Sequence, residues 1–292
     1  MTAEAVTVRT PDGRELEVHR EGPAGAPVLV FHCGTPNAPA GFPPVTDPVR
    51  ERGWQLVGYA RPGYAGSTPR EGRAVADAAG DVAAILDHLG VGEFLTLGWS
   101  GGGPHALACA ALLPGRCRAA AVLSSLAPLE GQDLLAGMAP GNVAEFGAAA
   151  SSAAELDALL APKLAERAAL TGEQLADALG DLIEGVDRDA LTGELAESLA
   201  AMVRRAVSTG LAGWRDDDLA FAAPWGFEPS EISAPVSVWH GARDRMVPFA
   251  HGRWLAERIP GARAQLFDGE GHLTLLRRVP AALDDLVSRA GA

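Results

Sequence analysis

Apolar and polar residues alternate along Val6–Thr10 and again along Glu15–Arg20, on either side of a Pro-Asp-Gly turn. That period of two predicts a β-hairpin. Pro27–His32, Trp54–Tyr59, Phe94–Trp99 and Ala119–Leu123 are instead near-continuous apolar runs, the pattern of strands covered on both faces of a parallel sheet. Between them, Val75, Ala79, Val82, Ile85, Leu86 and Leu89 form a helical stripe over 75–89, and Pro104–Leu113 predicts a further short helix. A strand–helix–strand succession of this kind implies a mostly parallel central sheet flanked by helices.

The pattern changes from about Glu130 to Ala223, where no strand-like run occurs and Ala, Leu and Glu dominate. Helices are predicted over Ser151–Leu170, Thr171–Glu184 and Leu191–Thr209, the second opened by a capping box at Thr171–Gln174. The strand–helix alternation resumes with Pro235–His240, a helix at Phe249–Ile259, a strand at Ala264–Phe267 and a closing helix to Arg289. The expected organisation is an α/β domain made of residues 1–129 and 224–292, interrupted by an all-helical insert over 130–223.

Composition narrows the functional classes. Of 292 residues, 48% are hydrophobic and 21% charged, as in ordinary globular proteins, and 24 basic against 37 acidic side chains give a net charge of −13. With no basic cluster, a dedicated nucleic-acid binder is excluded. Lys163 is the only lysine, and we read the preference for arginine as codon usage with no functional message. Cys33, Cys109 and Cys117 make no metal or redox motif. The N-terminus lacks the basic-then-apolar run of a signal peptide, and the apolar stretch Cys117–Leu129 is interrupted by Arg118, Ser124, Ser125 and Pro128. A cytoplasmic protein with no membrane partner is expected.

Chemistry concentrates in four loops. Gly98-Trp99-Ser100-Gly101-Gly102 follows an apolar run and opens a helix. A sharp strand–turn–helix connection of this type lifts a serine hydroxyl clear of the sheet, and its glycines leave room for the tight turn. This reading of Ser100 as nucleophile outweighs that of a plain helix cap, because a base and an acid follow it. His272 sits in Gly269-Glu270-Gly271-His272 after the last strand, and Asp244 follows the strand ending at His240. Serine, acid and histidine in that chain order suit this topology. His32, His105 and His240 are expected to bond local backbone, while His19, His88 and His251 look like surface or helix positions. The loop His32-Cys33-Gly34-Thr35-Pro36-Asn37 can aim backbone N–H groups at a developing oxyanion, with Thr35 or Gly34 as donor alongside Gly101.

Taken together, these stretches resemble the α/β-hydrolase superfamily over nearly the whole chain. Arg61-Pro62-Gly63-Tyr64-Ala65-Gly66-Ser67 is similar to the family's loop after the fourth strand, with Ala60 where an Asp commonly precedes the Arg. Cys33 is a second departure, standing where glycine or histidine is common before the oxyanion-loop glycine. The resemblance implies that the helical insert is a cap roofing the site, and that acyl transfer to water proceeds at Ser100 without metal or organic cofactor. Serine at the elbow separates the chain from the family's dehalogenases and epoxide hydrolases, which use aspartate there.

An ester of a small molecule is the expected substrate. Alternatives are a proline-iminopeptidase-like aminopeptidase, a cofactor-free perhydrolase, and a hydrolase-fold binding protein with little turnover. Glu145, Glu155 and Asp157 in the insert can bind a substrate amine, but their helical spacing suits a solvated face. Trp214, Trp225 and Phe146 are candidates for the substrate pocket or for plain core packing. Of the 37 acids, 17 lie within 130–223, so a strongly anionic substrate is not expected. The chain is expected to be a monomer or homodimer.

Overall fold

The computed structural model describes residues 4–129 and 134–291. The expected start of the insert at residue 130 therefore lies outside the described residues. Eight strands form one sheet: β1 (Glu4–Arg9), β2 (Glu15–Glu21), β3 (Val28–His32), β4 (Gln55–Tyr59), β5 (Phe94–Trp99), β6 (Cys117–Leu123), β7 (Val236–Gly241) and β8 (Arg263–Phe267). Their order is β1-β2-β4-β3-β5-β6-β7-β8. The β1–β2 and β2–β4 pairings are antiparallel, and every pairing from β4–β3 to β7–β8 is parallel.

The continuous apolar runs have a direct physical cause. Side chains alternate across a strand, so in β3 Val28 and Val30 enter one core while Leu29 and Phe31 enter the core on the opposite face. In β5, Leu95, Leu97 and Trp99 likewise face the second core. Helices α1 (Pro43–Glu51), α2 (Asp77–His88) and α3 (Gly103–Leu112) lie between the early strands. Residues of α2 and α3 pack into the first core, while Val45 and Val49 of α1 pack into the second.

The second half of β6 leads into the insert. It contains α4 (Pro140–Ser151), α5 (Ala153–Leu160), α6 (Leu164–Ala168), α7 (Gly172–Leu179), α8 (Val186–Ala190), α9 (Gly193–Ala206) and α10 (Ala212–Ala222). After it, α11 (Phe249–Arg258) joins β7 to β8, and α12 (Val279–Ala290) closes the chain.

The helix expected over Ser151–Leu170 is broken in two places. Ser152 is extended and accepts the Glu155 N–H on its Oγ, capping α5. Further along, Pro162 lies in a 3₁₀ turn and cannot donate to a continuing ladder. The capping box at Thr171 and Gln174 forms. Helices α1, α4, α8 and α10 were not evident from periodicity; Pro43, Pro44 and Pro48 obscure the first. Among the described residues, no helix is long and apolar enough to cross a membrane.

Strand order reverses at β3, whose neighbours are β4 on one side and β5 on the other. The crevice beyond the carboxyl ends of the strands at such a point is where open α/β sheets receive ligands. The loops after β3, β4, β5, β7 and β8 all end there.

Candidate active site

Ser100 follows the last residue of β5 and has φ of +55°. A side chain in this left-handed region is strained, and the surrounding backbone must hold it. The enclosure is close. A Cβ on Gly102 would stand 1.9 Å from the His32 carbonyl oxygen, and one on Gly98 would stand 2.5 Å from the Gly102 carbonyl oxygen. Only glycine lets β5 turn into α3 at this distance from β3. Trp99 and Gly102, not Ser100, stand at the N-cap positions of the 3₁₀ turn and of α3.

His272 and Asp244 come together across the ends of β8 and β7. His272 Nδ1 lies 2.8 Å from Asp244 Oδ2, and both side chains are almost fully buried. Asp244 is oriented by the Val247 N–H, which donates to Oδ1 at 2.8 Å. Burial opposes its charge, but His272 and these bonds hold its carboxyl below the ordinary value. For His272, burial favours the neutral ring, yet the contact with Asp244 prevails and raises its affinity for a proton. The Trp99 ring packs against it, centroids 5.4 Å apart.

The loop after β3 is held from behind by Arg61. Its Nη1 donates to the Cys33 carbonyl at 2.7 Å and its Nη2 to the Gly34 carbonyl at 3.0 Å. In a trans peptide the N–H points opposite to the C=O. Fixing these two carbonyls on the arginine therefore turns the N–H groups of Gly34 and Thr35 away from it. On the other side of the loop is the elbow: a Cβ on Gly34 would come 3.2 Å from Ser100 Cβ, and one on Gly101 would come 3.2 Å from Thr35 N.

Arg61 is 2% exposed and its charge is answered by Asp217 of α10. That carboxylate also accepts from Arg73 Nη2 at 2.6 Å, Tyr64 OH at 2.8 Å and Thr35 Oγ1 at 2.6 Å. Burial alone would favour its protonated form; the two guanidinium groups keep it ionised, well below the usual carboxylate range. A buried ion pair is stabilising only when its lone pairs are filled in this way.

A second acid of the insert grips the histidine loop. Asp187 of α8 accepts the N–H groups of His272 at 2.7 Å, Leu273 at 2.8 Å and Thr274 at 3.0 Å.

Ser100, Thr35, Gly101 and His272 border one cavity of about 330 Å³, shared with Leu126, Phe146, Trp214 and Phe221. Gly34 and Asp244 stand behind that surface. Phe146 and Trp214 thus line the cavity, while Trp225 packs into the first core. Glu145, expected on a solvated face, borders the cavity too. His240 bonds the Val247 carbonyl and His105 the Gly101 carbonyl, as expected. His32 instead meets Cys109 Sγ, 3.7 Å away. His251 lies on α11 but is fully buried, accepting from the Ala127 N–H and donating to the Leu134 carbonyl. The departure at Cys33 is accommodated: its buried thiol donates to the Asn37 carbonyl, and it is its main-chain carbonyl that Arg61 uses. Asp187 and Asp217 were missed, because no local pattern marks an acid whose partners lie 85 and 182 residues away.

With its sheet order and this site at the sheet's switch point, the chain belongs to the α/β-hydrolase fold family, which it matches over residues 27–278. It is 35% identical over 99 residues to a pimeloyl-acyl-carrier-protein methyl ester esterase of Aromatoleum aromaticum, a match covering 34% of this chain and 37% of that protein. It is 33% identical over 122 residues to a bifunctional esterase/perhydrolase of Acinetobacter calcoaceticus, covering 41% and 44% respectively. The chain thus spans well under half the length of these curated relatives. A thermophilic esterase from Thermogutta terrifontis superposes with a TM-score of 0.69 over 99% of this chain and 100% of its own, at 20% identity, a likeness of fold.

Proposed function

We propose that the protein is a serine hydrolase that cleaves an ester of a small molecule through an acyl-enzyme. The observation that carries this reading is the 2.8 Å bond between His272 Nδ1 and Asp244, with His272 and the strained Ser100 bordering the same cavity. Ser100 Oγ attacks the ester carbonyl while His272 Nε2 takes its proton, and Asp244 holds the ring in the tautomer that can accept it. The oxyanion is met by the N–H groups of Thr35 and Gly101, with Gly34 beside them; each such donor is worth about 3 kcal/mol in the transition state. His272 then passes the proton to the departing alkoxide. Water repeats the sequence on the acyl-enzyme, releasing the acid and restoring Ser100.

An ester is favoured by the names carried by the relatives in sequence and by the apolar lining around Leu126, Phe146 and Phe221. The helical insert acts as the roof of the site, since it supplies much of the cavity wall.

The test is hydrolysis of short-chain p-nitrophenyl esters by wild type and by Ser100→Ala. Turnover is expected in the first and is expected to fall to background in the second, with an unchanged melting temperature. A fluorophosphonate should label Ser100 alone. Equal inactivity of both proteins toward esters, or labelling at Ser124 or Ser125, overturns the assignment.

A further inference from the structure

The cavity that Ser100 borders is lined unevenly. On one side, Glu145 of α4 accepts the indole N–H of Trp214 of α10 at 2.8 Å, and Lys163 Nζ lies 3.1 Å from Glu145 Oε2. The other side is hydrocarbon, made by Leu170, Leu175, Ala178, Leu179, Leu199 and Val203. Leu175, Ala178 and Leu179 share one face of α7, and Leu199 and Val203 one face of α9, through the three- and four-residue spacing of a helix. The two sides pack separately, α7 against α9 and α4 against α10. Leu170, Leu175 and Leu199 belong to the second core, whereas Phe146 and Phe221 of the same cavity belong to the first.

Charge on the hydrocarbon side is already answered. Arg167, which also borders the cavity, donates from Nη2 to the Ala178 carbonyl at 2.7 Å and from Nη1 to Glu166 Oε1 at 3.2 Å. Asp181, just beyond α7, is exposed and turned toward α4, where a Cβ on Gly141 would stand 3.3 Å from its Oδ1. A carboxylate or an ammonium laid against the two apolar stripes would therefore give up hydration without gaining a partner. A hydrocarbon chain gains with each methylene that leaves water there.

We propose that the wall formed by Leu170, α7 and α9 is the binding site for an uncharged aliphatic chain of the substrate, with Ala178, Leu179 and Val203 setting the length of chain it accepts. This rests on the ester-hydrolase reading, because the chain is placed by its attachment to the ester group that Ser100 attacks.

The experiment measures kcat/KM for two series of esters, p-nitrophenyl alkanoates of increasing acyl length and alkyl acetates of increasing alcohol length. In at least one series, wild type should gain about fourfold for each added methylene until the wall is filled. Counterparts ending in an ω-amino or ω-carboxy group should lose that gain. Ala178→Phe and Val203→Phe place a ring in the space and should move the optimum to a shorter chain. Leu179→Ala should move it to a longer one, with folding of all three variants checked by melting temperature. Calorimetric binding of the same esters to Ser100→Ala reads the wall independently of turnover. Binding that tightens with chain length, without hydrolysis by wild type, would sink the esterase reading and leave the wall assignment standing. No gain with chain length in either series, an optimum unmoved in all three variants, or equal turnover of the charged counterparts would overturn the proposal.

Discussion

Asp187 Oδ2 receives the main-chain N–H of His272 at 2.7 Å, so a short helix of the insert holds the loop that follows β8. The fit is tight, since a Cβ on Gly271 would come 2.3 Å from the Asp187 carboxylate. Asp187→Ala would leave three buried N–H groups without an acceptor, at about 1–3 kcal/mol each. We expect a lowered melting temperature and a fall in kcat of at least tenfold. Asp187→Asn should also impair activity, because its amide NH₂ must face a donor on one side or the other. A kcat within twofold of wild type in both variants would show that the loop holds His272 without this acid.

Activity should rise with pH along a limb set by His272. The proposed mechanism needs the neutral ring, and the Asp244 contact raises the group's proton affinity above the ordinary value despite burial. The midpoint of kcat/KM for an uncharged ester should therefore lie above about 6.5. The stability contribution has the opposite sign. With a folded value above the unfolded one, it is fully present below the unfolded value and is lost as pH rises through the folded one. Asp244→Asn should lower kcat by about 10⁴-fold, as loss of the orienting acid does in such triads, and shift any residual limb to lower pH. A limb that stays put in Asp244→Asn would assign it to another group.

Arg61 offers a way to disturb the proposed oxyanion loop without touching the three residues proposed for the chemistry. Lysine at 61 keeps a positive charge beside Asp217 but cannot reach the Cys33 and Gly34 carbonyls together, because it lacks the planar fork. The peptide planes are then free to rotate, and the Thr35 N–H loses its aim. We expect kcat/KM to drop by about 10²-fold, toward the loss of one oxyanion donor. Affinity for a trifluoromethyl ketone, which becomes an oxyanion when bound, should fall in parallel. A fall in ester turnover with undiminished ketone affinity would place the role of Arg61 elsewhere.

The elements that make Arg61 and Asp187 matter differ in how visible they are along the chain. The strands were legible because burial on both faces writes an unbroken apolar run, as in β3 and β5. Of the three residues proposed for the chemistry, only Ser100 directly follows one of those runs. Asp244 and His272 lie in the loops beyond β7 and β8, and β8 is partly exposed. Asp217 was not legible, although its neighbours in sequence, Asp216 and Asp218, are also acids; nothing local tells which of three aspartates turns toward two arginines. The breaks at Ser152 and Pro162 were masked by the Ala- and Leu-rich composition on either side. Glu145 fits a helical surface stripe, and only the three-dimensional arrangement shows it bonded to Lys163 and Trp214 at the edge of the cavity.

Cys33 provides the remaining prediction. It replaces a glycine or histidine beside the proposed oxyanion hole, so a direct part in the chemistry has to be weighed. Its thiol is 2% exposed, and burial, the largest influence on it, raises its pKa and keeps it protonated. A protonated, enclosed thiol is a poor nucleophile and a poor target for alkylation. The contribution of residue 33 to the loop is its carbonyl, which any residue supplies to Arg61. Cys33→Ala removes only the thiol and its weak bond to the Asn37 carbonyl. We expect its kcat/KM to stay within about threefold of wild type, since loss of a weak bond costs well under 1 kcal/mol. Iodoacetamide should leave the native enzyme active over the period in which it alkylates the unfolded chain. Rapid inactivation by iodoacetamide that Cys33→Ala escapes would instead mark the thiol as accessible and tied to turnover.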